Sequence, residues 1–214
     1  MKKILLGLLF LLWFILPSNL LAADGPYIYS NDRFGLEITV PKGWKYDATE
    51  EMSKQARKNA NETIDQMVSD KNLSEEQKKE IQAGAELSGA LITISSKQSA
   101  FPIVQLTYSD HSENPDIKSE EDEARNFLLI FKRNSGAEIV QLPQEITING
   151  KKGSYAIYDN VYEANGKKAP LRSYMRVFFS GNYSIVLITM EPVELANSQN
   201  ETKVKEIIDS LKIR

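Results

Sequence analysis

The stretch EITINGKKGSYAIYDNVYEANGKKAPLRSYMRVFFSGNYSIVLITM, residues 145–190, decides the fold class. It alternates runs rich in β-branched and aromatic residues with three short turns, Asn149-Gly150, Asn165-Gly166 and Gly181-Asn182. Asn-Gly suits a type I′ hairpin turn and Gly-Asn a type II′, because each supplies the positive φ angles those turns require. Four strands follow, over 145–148, 151–162, 168–179 and 183–190. Val161, Leu171, Met175, Val177, Phe179, Tyr183, Ile185 and Leu187 recur at every second position, the period of a strand with a buried face. The expectation is an antiparallel meander.

Upstream, the period changes twice. Phe34, Leu36, Ile38 and Val40 alternate with Gly35, Glu37 and Thr39, and Pro41-Lys42-Gly43 ends that strand before Trp44 and Tyr46. Thr49 can cap a helix that opens on Glu50-Glu51, with Met52, Ala56, Ala60, Ile64, Met67 and Val68 three or four apart on one side. Ser74-Glu75-Glu76-Gln77 reads as a capping box for a second helix running to about Leu87. Strands return over 91–95 and 103–108, joined around Lys97-Gln98-Ser99. Ser119-Glu120-Glu121-Asp122 opens a helix carrying Ala124, Phe127, Leu128 and Phe131, and Gly136 is its stop. Downstream, Ser198-Gln199-Asn200-Glu201 can cap a closing helix striped by Val204, Ile207, Ile208 and Leu211. The pattern predicts an α+β fold. An antiparallel sheet of about six to seven strands has one face to cover, and amphipathic helices cover it. No internal repeat, linker or second core is visible, so 24–214 reads as one domain with a helical insertion at about 49–88.

The N-terminus reads as an address. Lys2 and Lys3 precede a 13-residue run, 4–16, that is apolar except for Gly7; Pro17-Ser18-Asn19 breaks it and Ala22-Ala23 offers small residues for cleavage. That is the layout of a secretory signal peptide over 1–23, cut after Ala22 or Ala23. An uncleaved N-terminal membrane anchor is the alternative, but a spanning helix needs about 20 apolar residues. Cleavage after Ala23 takes two Lys and no acid, moving the net charge from −3 to −5. The expected place of work is the periplasm or the exterior, with no stable membrane insertion once the leader is gone.

Composition excludes several functions. A net charge of −3 has the wrong sign for a nucleic-acid binder. The chain has no Cys and one His, which removes disulfides, thiolate metal sites, Cys nucleophiles and multi-imidazole centres. An exported fold without disulfides must be held by its core. His111 lies in the polar run Ser109-Asp110-His111-Ser112-Glu113 and reads as a solvated loop histidine. No Gly-x-Ser-x-Gly elbow accompanies it. Asp110, Glu113 and Asp116 could offer oxygens to a hard cation, but their spacing is not an EF-hand loop. Acids at a helix start are explained by the helix dipole instead. No catalytic residue, cofactor site or metal site is assigned. Tyr27, Tyr29, Trp44 and Tyr46 cluster near the first strands, where they fill a sheet edge or line a binding surface.

Several stretches resemble the PsbP-like fold family, which also takes in DcrB-like envelope proteins and a Ran-binding nuclear relative. They are Asp32-Arg33-Phe34-Gly35-Leu36 running into Val40-Pro41-Lys42-Gly43-Trp44, Gly153-Ser154-Tyr155 with the hairpin to Gly181, and Glu206-Ile207-Ile208-Asp209-Ser210-Leu211-Lys212-Ile213. The helical stretch at 49–88 departs from that pattern. The resemblance implies an α+β sandwich and a non-enzymatic binding or accessory role through an unidentified envelope protein partner, with no catalytic residue to carry over. Two other functions stay open from the residues: a small-molecule or lipid carrier with a helical lid, and a carboxylate-dependent hydrolase.

Overall fold

A computed structural model describes residues 21–22, 26–48, 88–97, 101–112, 116–164, 167–196 and 200–214. The predicted leader lies outside them except for residues 21–22, and the predicted insertion lies outside them except for Ser88. The strands are β1 (Leu21–Ala22), β2 (Tyr27–Asn31), β3 (Leu36–Val40), β4 (Trp44–Asp47), β5 (Ser88–Ser96), β6 (Ile103–Asp110), β7 (Glu138–Ile148), β8 (Lys151–Ala164), β9 (Lys167–Ser180), β10 (Tyr183–Pro192) and β11 (Lys212–Ile213). The helices are α1 (Glu120–Ser135) and α2 (Asn200–Asp209).

The meander forms, and two of its three expected turns are described, Asn165-Gly166 lying outside the described residues. Asn149 and Gly150 take φ of 51° and 79°, as a type I′ turn needs, and Gly181 takes 58°. Strands β10, β9, β8 and β7 lie side by side, and β6, β5, β4 and β1 extend the sheet beyond β10. All described pairings are antiparallel. The architecture is therefore α+β, built on one large antiparallel sheet of eight strands, of which β1 is two residues long.

Both faces of this sheet are covered, which alternation alone did not foretell. Ile185 and Leu187 join Ile92, Ile94, Val104 and Leu106 in a cluster under β3 and α2, with Val204, Ile207 and Leu211. Val186, Ile188 and Met190 point the other way and meet Ala124, Phe127, Leu128 and Phe131 of α1. Strand β10 is buried from Ser184 to Glu191 without a break, the signature of a strand packed on both sides. The single core expected is two clusters with the sheet between them.

The first strand belongs elsewhere. Strand β3 pairs with β2 and β11 in a separate three-stranded sheet. Asp32–Phe34 forms a 3-10 turn before it, and Gly35 turns the chain at φ 57°. A Cβ at Gly35 would lie 3.1 Å from the Arg214 Cβ, and the Arg214 N–H donates to the Gly35 carbonyl at 3.0 Å. Asn149 ties the meander to this layer by donating to the carbonyls of Asp209 and Leu211 at 2.7 and 2.8 Å.

Strand β7 begins seven residues before the expected 145, because Pro143 and two register shifts hide its alternation. An edge strand tolerates both. Helix α1 starts as its acids predict. The Ser119 hydroxyl accepts the Asp122 N–H at 3.1 Å, while the Asp122 carboxylate accepts from Lys118 N–H at 3.2 Å. Ser119→Ala should cost about 1 kcal/mol. Ser119→Asp should retain the cap, and urea midpoints of the two variants check this.

Candidate functional site

Strands β2 and β4 belong to different sheets, yet the alternation of each sends aromatics to the same corner. Tyr27 of β2 stacks on Tyr46 of β4, ring centroids 4.1 Å apart and planes within 10°. Tyr27, Tyr29, Trp44 and Tyr46 are all half-buried against the cluster under β3. Trp44 is delivered by a tight turn: its N–H donates to the Pro41 carbonyl at 3.2 Å, with Gly43 at φ 87°. Burial pushes the Tyr27 phenol pKa up, and neighbouring Tyr46 adds to it. Burial does the same for Tyr29, against the hydrogen bond from Asn31. The corner therefore offers neutral hydroxyls and apolar ring faces.

The second constellation was missed in the sequence. Glu123, in the first turn of α1, is fully buried. The Ser184 hydroxyl of β10 donates to its Oε1 at 2.9 Å, and His111 Nδ1 lies 3.0 Å from the same Ser184 oxygen. With Glu123 ionised, Ser184 gives it its one proton, so the proton between His111 and Ser184 then sits on Nδ1. The His111 ring stacks on Phe179 at 4.2 Å, so it is not the solvated loop residue expected. Desolvation raises the Glu123 pKa to about 7, against the hydrogen bonds from Ser184 and Asn126. Desolvation lowers that of His111, with Asp110 and Glu120 opposing. The order of groups is wrong for nucleophilic catalysis. The hydroxyl lies between two bases, and Ser184 is fully buried where no substrate reaches it.

This relay borders a polar half-face of the large sheet. Asp47, Thr93, Ser95, Gln105, Thr107 and Ser109 are all buried there. Among the described residues the hydroxyls of Ser95 and Ser109 have no hydrogen-bond partner. On the opposite face, Arg172 makes a bidentate pair with Asp159 at 2.8 and 2.9 Å, and Tyr174 donates to Glu191 at 2.9 Å. Glu191 lies directly across from Arg172 in the register, so the row reads as a cross-strand charge ladder.

Of the three acids named for a cation, Asp110 accepts the Ser112 N–H at 2.9 Å, Asp116 is exposed, and Glu113 lies outside the described residues. Among the described residues no three His, Cys, Asp or Glu are grouped to hold a metal. No described helix is long and apolar enough to cross a membrane.

No family model and no curated protein matches the chain. Among solved structures, it is similar to cyanobacterial PsbP from Synechocystis sp. PCC 6803, over 91% of this chain and 95% of that one, with a TM-score of 0.53 and 10% identity. PA94 from Pseudomonas aeruginosa aligns over 89% of this chain and 98% of that one, with a TM-score of 0.41 and 11% identity. LpqN from Mycobacterium tuberculosis, involved in cell envelope biogenesis, aligns over 57% of this chain and 71% of that one, with a TM-score of 0.39 and 16% identity. The fold is PsbP-like.

Proposed function

We propose that the protein is exported to the bacterial envelope, loses its leader, and works there as a non-enzymatic binding or accessory protein. Residues 24–214 act as one domain, and the work is done through protein–protein contacts at the aromatic corner of Tyr27, Tyr29, Trp44 and Tyr46. The observation that carries this reading is the Tyr27–Tyr46 stack. It holds large, rigid, half-buried rings at the joint of two sheets, and such residues supply contact area at low entropic cost. The leader layout supports the location. The PsbP-like fold agrees with a role that needs no reactive centre.

A lipid carrier would need an apolar floor. The half-face beside α1 is lined by Thr93, Ser95, Gln105, Thr107 and Ser109 instead, and the opposite face is filled by β3 and α2.

Crosslinking in the native envelope tests the reading. Exported wild-type protein should yield a defined complex that Trp44→Ala and Tyr46→Ala reduce at least fivefold, while His111→Ala leaves it unchanged. Recovery of the protein from the cytosol with residues 1–23 attached would overturn the reading, and so would a complex indifferent to Trp44 and Tyr46.

A further inference from the structure

We propose that leader cleavage turns the outer edge of β4 into a docking site for an extended segment of the envelope partner, which adds to the large sheet as an antiparallel strand. This rests on the reading above that the leader is cut, and it names how the partner engages.

In the uncut chain β4 has a neighbour on each side. Strand β5 pairs with it from Trp44 opposite Ser96 to Asp47 opposite Thr93. On the other side β1 pairs with it, Leu21 opposite Tyr46 and Ala22 opposite Lys45. Both residues of β1 fall within the predicted leader, so a cut after Ala22 or Ala23 removes them. Among the described residues that side of β4 then has no neighbour, and Lys45 and Tyr46 lose the strand that faced them there.

The opposite end of the sheet is protected differently. Strand β7 carries Pro143 and two register shifts, the devices that blunt an edge. Strand β4 has neither, since its register with β5 is regular over four residues. A strand is already seated on the β4 edge in the uncut chain, so the edge accepts antiparallel pairing.

The register also specifies the occupant. Tyr46 and Trp44 lie on the side of the aromatic corner, so an apolar residue suits the positions opposite them. Lys45 is on the other side of the strand and favours a small or acidic residue at the register position opposite it. The partner segment is therefore extended, with apolar residues two apart around a small or acidic one. Backbone pairing gives the affinity and the alternate side chains give the selection.

The chain has two Trp, Trp13 in the leader and Trp44 on this edge, so exported protein has Trp44 as its sole indole reporter. Exported, cleaved protein is titrated with a peptide of residues 17–23, with the same peptide N-methylated on alternate backbone nitrogens, and with a Leu21→Lys peptide. The uncut full chain, kept in detergent, is titrated alongside. The expected result is a saturable change in Trp44 emission with the first peptide, at least tenfold weaker binding of the other two, and no saturable change in the emission of an uncut chain carrying Trp13→Phe. Equal binding of the methylated peptide, an equal response of cut and uncut chains, or no response of the cut chain overturns the proposal. So does an edge already occupied by a second copy, seen as a dimer that the peptide does not dissociate. N-terminal sequencing separates the two failures. An envelope form still carrying the leader overturns the parent reading, whereas a cleaved form that ignores the peptides overturns the docking edge alone.

Discussion

Raising the pH from 5 to 8 is expected to lower the unfolding free energy by about 2–3 kcal/mol through Glu123 alone. The cause is burial. Glu123 leaves water when α1 packs on β10, and two hydrogen bonds do not replace its hydration. Its position in the first turn of α1 favours the ionised form, but by less than the desolvation it suffers. Its pKa rises from the ordinary 4.5 to about 7. A carboxyl raised in the folded state holds its proton when the unfolded chain has already released it. The stabilisation is complete below pH 4.5 and is lost as pH rises through about 7. His111 works in the opposite sense, because its lowered pKa makes protonation favour unfolding below its usual 6.5. Comparing wild type with Glu123→Gln by urea denaturation at several pH values isolates the carboxyl, and the variant should lack the fall between pH 5 and 7. The relay adds a spectroscopic sign. With Glu123 ionised, Ser184 donates to it and His111 carries its proton on Nδ1. Once Glu123 is protonated it can donate to Ser184, which turns to Nδ1, so the neutral ring then protonates at Nε2. Imidazole 15N shifts report that change, and equal pH slopes for wild type and variant would sink the assignment.

Much of the fold was legible because local chemistry and global packing agree. Asn149-Gly150 and Gly181 specify hairpins whatever surrounds them, and Ser119 with Gly136 brackets α1. Strand β2 was missed because Tyr27-Ile28-Tyr29 puts large residues on both sides, and Ile28 is exposed. The second sheet was missed because β11 is two residues long and pairing between chain ends leaves no local mark. The aromatic corner was visible as composition. That Tyr27 reaches Tyr46 required knowing that two sheets meet there. The relay had one overlooked signal. Glu123 precedes Phe127 by four residues, so it shares the apolar stripe of α1, where an acid must find a partner or change its pKa. His111 and Ser184 had none, because 73 residues separate them.

Tyr108→Ala is expected to cost about 3–5 kcal/mol, in line with truncation of large buried aromatics. The Tyr108 ring is 4.7 Å from Phe34 and 6.1 Å from Tyr183, and the Arg33 guanidinium sits 5.5 Å above it. Arg33 also donates to the Tyr183 hydroxyl at 2.8 Å, so one cation closes over three rings. The ring lies over a glycine. Gly89 is directly opposite Tyr108 in the β5–β6 register, and a Cβ there would come within 2.5 Å of Tyr108 Cε1 and 2.9 Å of its hydroxyl. Gly89→Ala alone should therefore destabilise by about 1–3 kcal/mol, because the ring is held by its neighbours and cannot swing clear. In the Tyr108→Ala background the three nearest atoms that opposed the methyl, all in the Tyr108 ring and hydroxyl, are gone. The same substitution should then be neutral or stabilising by up to about 1 kcal/mol, since alanine loses less backbone entropy than glycine on folding. The sign of Gly89→Ala thus reverses with the residue across the strand. Urea midpoints of the four proteins in this cycle measure the coupling. Additivity within about 0.5 kcal/mol would show that the ring does not rest on Gly89 in solution.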